Sequence, residues 1–168
     1  MVNRKSVPIL EEALKLGQGK IFFNLDIANK DIPVHKIVAL IQKLKMEDEV
    51  LLYTSTDRNL ASDLQATDRR LLLHPMVKSS DDILFFSSEL VSVQVFQLSI
   101  SDAFSGTLPK EIEGSSRLCF SNIVGKYDTN MAAGDYSGLV NMINKRIGII
   151  QTDYTELADT YLKLKGYR

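Results

Sequence analysis

Apolar residues along this chain fall into two rhythms. Short unbroken apolar runs alternate with longer stretches in which apolar positions recur three and four apart. The first rhythm suits strands buried on both faces, and the second suits amphipathic helices. Pro8, with Glu11 and Glu12 behind it and Gly17 or Gly19 as a stop, predicts a helix over about 8–16. Lys20 to Ile27 then reads as a strand ending near Asp26. Behind Pro33, the spacing of Ile37, Leu40, Ile41 and Leu44 predicts a helix over about 33–46, with Lys36 and Lys43 on its polar side. The alternation repeats with Val50–Thr54 as strand and about 57–66 as helix, Leu60, Ala61 and Leu64 facing inward. A third unit is blurred: Leu71–His74 reads as strand and Ser79–Asp82 as a turn or helix start. Val93–Ile100, rich in β-branched residues, Leu118–Val124 and Ile147–Ile150 read as further strands. Asp153 leads into a closing helix on which Leu157, Tyr161 and Leu164 share a face. Phe22, Phe23, Phe85 and Phe86 are expected in the core.

Strands alternating with helices imply right-handed crossovers and a mostly parallel sheet. A barrel segment and an open wound sheet both fit this pattern. In either, ligands are held at the C-terminal ends of the strands, which singles out Asp26, Thr54-Ser55, Asn122 and Asp153.

Composition narrows the classes. A chain of 168 residues with 45% hydrophobic content can bury one core, and 20 basic against 21 acidic residues leave no electrostatic footprint for a nucleic-acid backbone. Nucleic acid is therefore not expected as a partner. No apolar run approaches the roughly 20 residues of a membrane-spanning helix, so a soluble chain is expected. Pro8 and Glu11-Glu12 interrupt the stretch where a signal peptide would be apolar, so no export signal is expected, and nothing fixes a compartment. Cys119, between Leu118 and Phe120, reads as a small buried hydrophobe.

No glycine-rich phosphate loop, HExxH pair, Cys-x-x-Cys or nucleophile elbow is present. What remains is acidic and amide side chains at strand ends, the oxygen donors that Mg²⁺ or Ca²⁺ take. The run Val7-Pro8-Ile9-Leu10-Glu11-Glu12-Ala13-Leu14, the strand Phe23-Asn24-Leu25-Asp26 and the ending Gly148-Ile149-Ile150-Gln151-Thr152-Asp153 follow one another in a known order. Together they resemble the glycerophosphodiester phosphodiesterase family, and the resemblance covers nearly the whole chain.

The resemblance implies a partial TIM-type (β/α) barrel: one domain over 1–168, about the last five of eight strands, with the first three of the family absent. It implies a segment of a metal-dependent hydrolase that converts a glycerophosphodiester into glycerol 3-phosphate and an alcohol. Asp26 would be a metal ligand for Mg or Ca, weakly held; Phe120 and Asn122 would line the substrate pocket, and Asp153 would be a further substrate-binding candidate. The family's His-Arg-Gly strand, Glu-x-Asp pair and His-Asp step have no counterpart, so no catalytic residue is assigned and the chain alone is expected to be inactive. Where the family often has Glu and, two residues on, Lys, this chain has Asp26 and Ala28; where it has Trp, Phe120 stands.

Plainer readings stand beside these. Asp26 could serve only a turn, Asn122 only loop backbone, and Asp153 is more simply a helix cap. His35, on the polar side of a helix, and His74, beside Pro75, read as ordinary surface or satisfied histidines. The Gly125–Asn130 run reads as a strand-end loop with a solvated Lys126. Two other functions compete: a non-catalytic remnant or self-associating binding module of the same fold, joined through unpaired barrel edges, and a barrel like the phosphoinositide-specific phospholipases.

Overall fold

The computed structural model describes residues 7–28, 31 and 33–167. Its first helix, α1 (Leu10–Gly17), opens with the Glu12 carboxylate accepting the Ile9 backbone N–H at 3.0 Å, and it buries Leu14. Strand β1 (Phe23–Asp26) follows, then α2 (Val34–Leu44), which turns its Val38 and Ile41 face onto the sheet. Lys45, in the left-handed conformation at φ 56°, ends that helix and sends the chain into β2 (Val50–Ser55). The same device recurs at Ser116 and Arg146, each at φ 59° in the turn between a helix and the strand after it.

Helix α3 (Arg58–Thr67) starts where the Asp57 carboxylate accepts the Leu60 backbone N–H at 3.0 Å. Removing that cap by Asp57→Ala is expected to cost about 1 kcal/mol, read as a shift in urea midpoint at unchanged slope. Strand β3 (Leu72–Pro75) leads to α4 (Ser80–Glu89), capped by Ser79, and then to the short β4 (Val95–Gln97). The apolar run from Val93 is thus not one long strand. Ser99 accepts the Asp102 backbone N–H and diverts the chain into α5 (Ile100–Ser105) and α6 (Thr107–Gly114). After β5 (Leu118–Asn122), the segment expected as a loop is helical, α7 (Lys126–Ala132), followed by α8 (Ser137–Asn144), β6 (Ile149–Gln151) and α9 (Thr155–Leu164).

All strand pairs are parallel, and their order in space is their order in sequence: β1-β2-β3 form one ladder and β4-β5-β6 another. Two isolated parallel bridges, Leu73 with Val93 and Met76 with Gln97, join the halves. Sequential parallel order with helical crossovers is the signature of a β/α barrel rather than of a sheet that switches direction. Six strands are present among the described residues where about five were expected. Within those residues β1 pairs only with β2, and β6 only with β5.

The two faces of the sheet differ. Leu52, Leu73 and Phe96 are fully buried on the outer face, where Cys119 also turns its thiol toward the Pro109 carbonyl of α6 at 3.9 Å. Burial and the nearby Glu113 charge push that thiol up to about 11, so Cys119 is the inert hydrophobe expected. Phe86 belongs to the core, but Phe22, expected there, is 73% exposed because it precedes β1 and has no neighbouring strand on that side among the described residues. None of the described helices is long and apolar enough to cross a membrane.

Candidate active site

The inner face is read from the register. In a parallel ladder, paired residues point the same way, so Asp26, Tyr53 and His74 share a face, as do Met76, Gln97, Phe120 and Ile149. On this face contacts skip a strand. Asn24 Oδ1 on β1 lies 3.3 Å from His74 Nδ1 on β3, and the His74 ring lies 4.6 Å, centroid to centroid, from Phe120 on β5. Side chains from alternate strands can meet only across a concave sheet, and such alternate-strand layers fill the interior of a β/α barrel. Asn24, His74 and Phe120 thus form three members of one interior layer. Asp26 and Asn122 lie two residues further along β1 and β5, on the same face and at the same, C-terminal, end of the sheet. That common edge is the geometry expected of the two residues.

At the rim, Asp26 is exposed and its Oδ1 accepts the Ala28 backbone N–H at 3.1 Å, a short turn that fixes the carboxylate over the end of β1. Phe120 is buried, 5% exposed, and Asn122 half-buried. Asp153 follows β6 and is exposed, but it does not cap α9, whose first turn has no side-chain cap. Its backbone N–H instead donates to Asp128 Oδ2 at 2.9 Å, while Thr152 Oγ1 donates to Asp128 Oδ1. The clamp at this corner is Asp128, a buried carboxylate on α7 inside the segment expected to be a loop. Lys126, on the first turn of that helix, is exposed as expected.

The histidines part company. His35 is exposed on α2, as its polar-side position implied. His74 is neither on the surface nor satisfied: it is fully buried, and its Nε2 has no hydrogen-bond partner among the described residues. Burial pushes its pKa down to about 4, so the ring is neutral near pH 7. Tyr53 covers it edge-on, centroids 5.6 Å apart, and the Tyr53 hydroxyl lies 4.0 Å from Met76 Sδ. The signal in the sequence was slight: a polar residue inside the apolar run Leu71-Leu72-Leu73-His74.

A divalent cation of the Mg²⁺ or Ca²⁺ class takes six or more oxygen ligands. Among the described residues no three His, Cys, Asp or Glu side chains are grouped to hold one, so Asp26 offers a single carboxylate and these residues alone do not build the site.

No family model matches the sequence, and no curated protein matches it at a significant level. A solved structure from Silicibacter pomeroyi DSS-3, described as a glycerophosphoryl diester phosphodiesterase, does match, with a TM-score of 0.71 at 16% identity. The likeness is one of fold. It takes in 95% of this chain and 58% of that one, so the chain spans little more than half the length of the structure it matches. At this identity the comparison shows the fold alone, a β/α-barrel architecture.

Proposed function

We propose that this chain is the C-terminal part of a barrel that hydrolyses glycerophosphodiesters to glycerol 3-phosphate and an alcohol, and that it is inactive by itself. The observation that carries this reading is the placement of Asp26 and Asn122 at one C-terminal rim of an open six-stranded β/α barrel segment. In this reading Asp26 gives one carboxylate to a Mg or Ca site whose other ligands lie on strands between β6 and β1. Phe120 is an apolar wall, Asn122 offers an amide to the diester, and Asp153 bounds the pocket after β6.

The test is release of glycerol 3-phosphate from glycerophosphocholine with Mg²⁺ or Ca²⁺ present. The 168-residue chain alone is expected to show none, because loss of acid/base assistance by itself costs on the order of 10²–10⁴ in rate. When two N-terminal β/α units are supplied, fused or in trans, turnover is expected to appear. It should then fall on the order of a hundredfold in Asp26→Ala and change little in His35→Ala. Robust turnover by the chain alone, or full activity of Asp26→Ala in the completed barrel, would refute the proposal.

A second reading, a non-catalytic module of the same fold that self-associates, is favoured by the edges of β1 and β6, which pair with no further strand among the described residues. Light scattering separates it from the first reading: a concentration-dependent dimer that persists when the N-terminal units are supplied would favour the module.

A further inference from the structure

A hollow of about 420 Å³ lies where α6 faces the turn between α8 and β6. Gly106, Lys110 and Glu113 supply one wall; spaced four and three apart, they run along one side of α6 from its cap. Asn144, Lys145 and Arg146 supply the other. That turn leads into the N-terminal end of β6, so the hollow is separate from the rim of Asp26 and Asn122 at the C-terminal end of the sheet. Three cations thus face one carboxylate, in a chain whose charges otherwise nearly balance. The carboxylate is engaged, because Glu113 Oε1 accepts from Arg146 Nη1. Lys110 and Lys145 have no hydrogen bond or ion pair among the described residues. For the exposed Lys110 that is ordinary, but Lys145 is half-buried. Its side chain lies over the buried Gly106, so closely that a Cβ there would come 2.8 Å from Nζ and 3.1 Å from Cδ. Gly106 also holds φ 79°, so only glycine leaves this notch for the ammonium without strain. Cations held against the protein elsewhere find acceptors: Arg58 on Asp82, Arg70 on Asp68 and Glu47, Arg117 on three backbone carbonyls. Lys145 is seated with none.

Charge and room set what fits. A phosphoryl group carries about −1.5 to −2 charges at pH 7 and three strong acceptor oxygens, enough for two ammonium groups and an edge of the Arg146 guanidinium. The volume falls in the range of small-molecule sites, roughly 300–1,000 Å³, which leaves space for the body that carries the phosphate, and Asn144 offers that body an amide. We infer that this hollow binds a phosphate monoester of a small polar molecule, its dianionic phosphoryl group held by Lys110, Lys145 and Arg146. The inference is independent of the proposed function.

The probe is glucose 6-phosphate, titrated by calorimetry into the metal-free 168-residue chain at low salt, with orthophosphate and glucose as parallel arms. The ester is expected to bind saturably, orthophosphate several-fold more weakly because it leaves Asn144 unused, and glucose not at all. Lys110→Met and Lys145→Met should each weaken binding of the ester roughly tenfold, since each removes one charged hydrogen-bond donor. Glu113→Gln should tighten it several-fold, because it frees the guanidinium and removes the one repelling charge; a residue that only tied two elements together would not give that sign. Lys126→Met, after β5 at the rim end of the sheet, should leave the affinity unchanged and so separates this hollow from any phosphate site at the rim. If Lys145→Met does not fold, Lys110→Met and Glu113→Gln decide the matter, since both change exposed residues. Absence of saturable binding, unchanged affinity in Lys110→Met or Lys145→Met, or weaker binding in Glu113→Gln or Lys126→Met overturns the inference. So does orthophosphate or glucose binding as tightly as the ester.

Discussion

Between pH 6.5 and 4 the fold is expected to lose about 3 kcal/mol of stability as one imidazole, His74, takes up a proton in the unfolded state before it does so in the folded one. The folded-state value is depressed, to about 4 from 6.5, because burial penalises the charged ring. The unfolded chain therefore binds more protons across this window, and stability rises with pH through it. The contribution is fully present above 6.5 and fully lost below 4. The groups facing the ring, Asn24 through its amide, Phe120 and Tyr53, include no carboxylate to offset protonation, and Asp26 lies further out at the rim. Other acid-sensitive groups act lower. Hydrogen bonds from Lys15 and then Lys43 hold Glu11 down to about 2, and the Arg70 side chain holds Asp68 well below the usual carboxylate range. Asp82 is also lowered, with bonds from Arg58, the Lys78 N–H and Ser79 outweighing a burial effect that raises it. Urea midpoints of the parent chain and His74→Phe, measured from pH 7.5 down to 4.5, check this. The parent should decline and the variant should stay nearly flat; parallel decline in both would remove His74 as the cause.

Asp128→Ala is expected to destabilise the chain by about 3 kcal/mol, or roughly 10 °C in melting temperature. The substitution leaves two donors at a partly buried corner, the Thr152 hydroxyl and the Asp153 N–H, without their acceptor. It also frees the turn after β6 from α7, so the rim at Asp153 loses its fixed position. Asp128→Asn keeps one acceptor oxygen and should cost about half as much. Thermal melts by circular dichroism give both values, and equal melting temperatures for the parent and Asp128→Ala would show that the corner is held by other contacts.

How much of this was readable from sequence depended on where burial originates. The strands were legible because parallel strands covered on both sides are apolar throughout, as in Val50-Leu51-Leu52-Tyr53 and Leu118-Cys119-Phe120. Helices α5 to α8 were not, because Gly106, Pro109 and Gly114 interrupt one pair and polar Lys126-Tyr127-Asp128-Thr129-Asn130 opens the other. In that last run the buried residue is Asp128, whose partners lie 24 and 25 positions away. The rim position of Asp26 and Asn122 followed from strand ends alone. His74 was misread for the opposite reason: beside Pro75 it read as an ordinary surface or satisfied histidine, whereas its burial comes from Asn24, Tyr53 and Phe120 on three other strands.

The sequential strand order has a kinetic meaning as well as a geometric one. Phe23 pairs with Val50, Leu51 with Leu72, Val95 with Leu118 and Phe120 with Ile149, so each pairing closes one crossover, of one helix in the first half and two in the second. Loop-closure entropy grows with the logarithm of loop length, and chains whose contacts are near in sequence cross lower folding barriers. The one step of high contact order in a barrel is joining the first strand to the last. The six strands of the described residues can grow unit by unit from either half before that step, so the helix-covered outer core can form ahead of any ring closure.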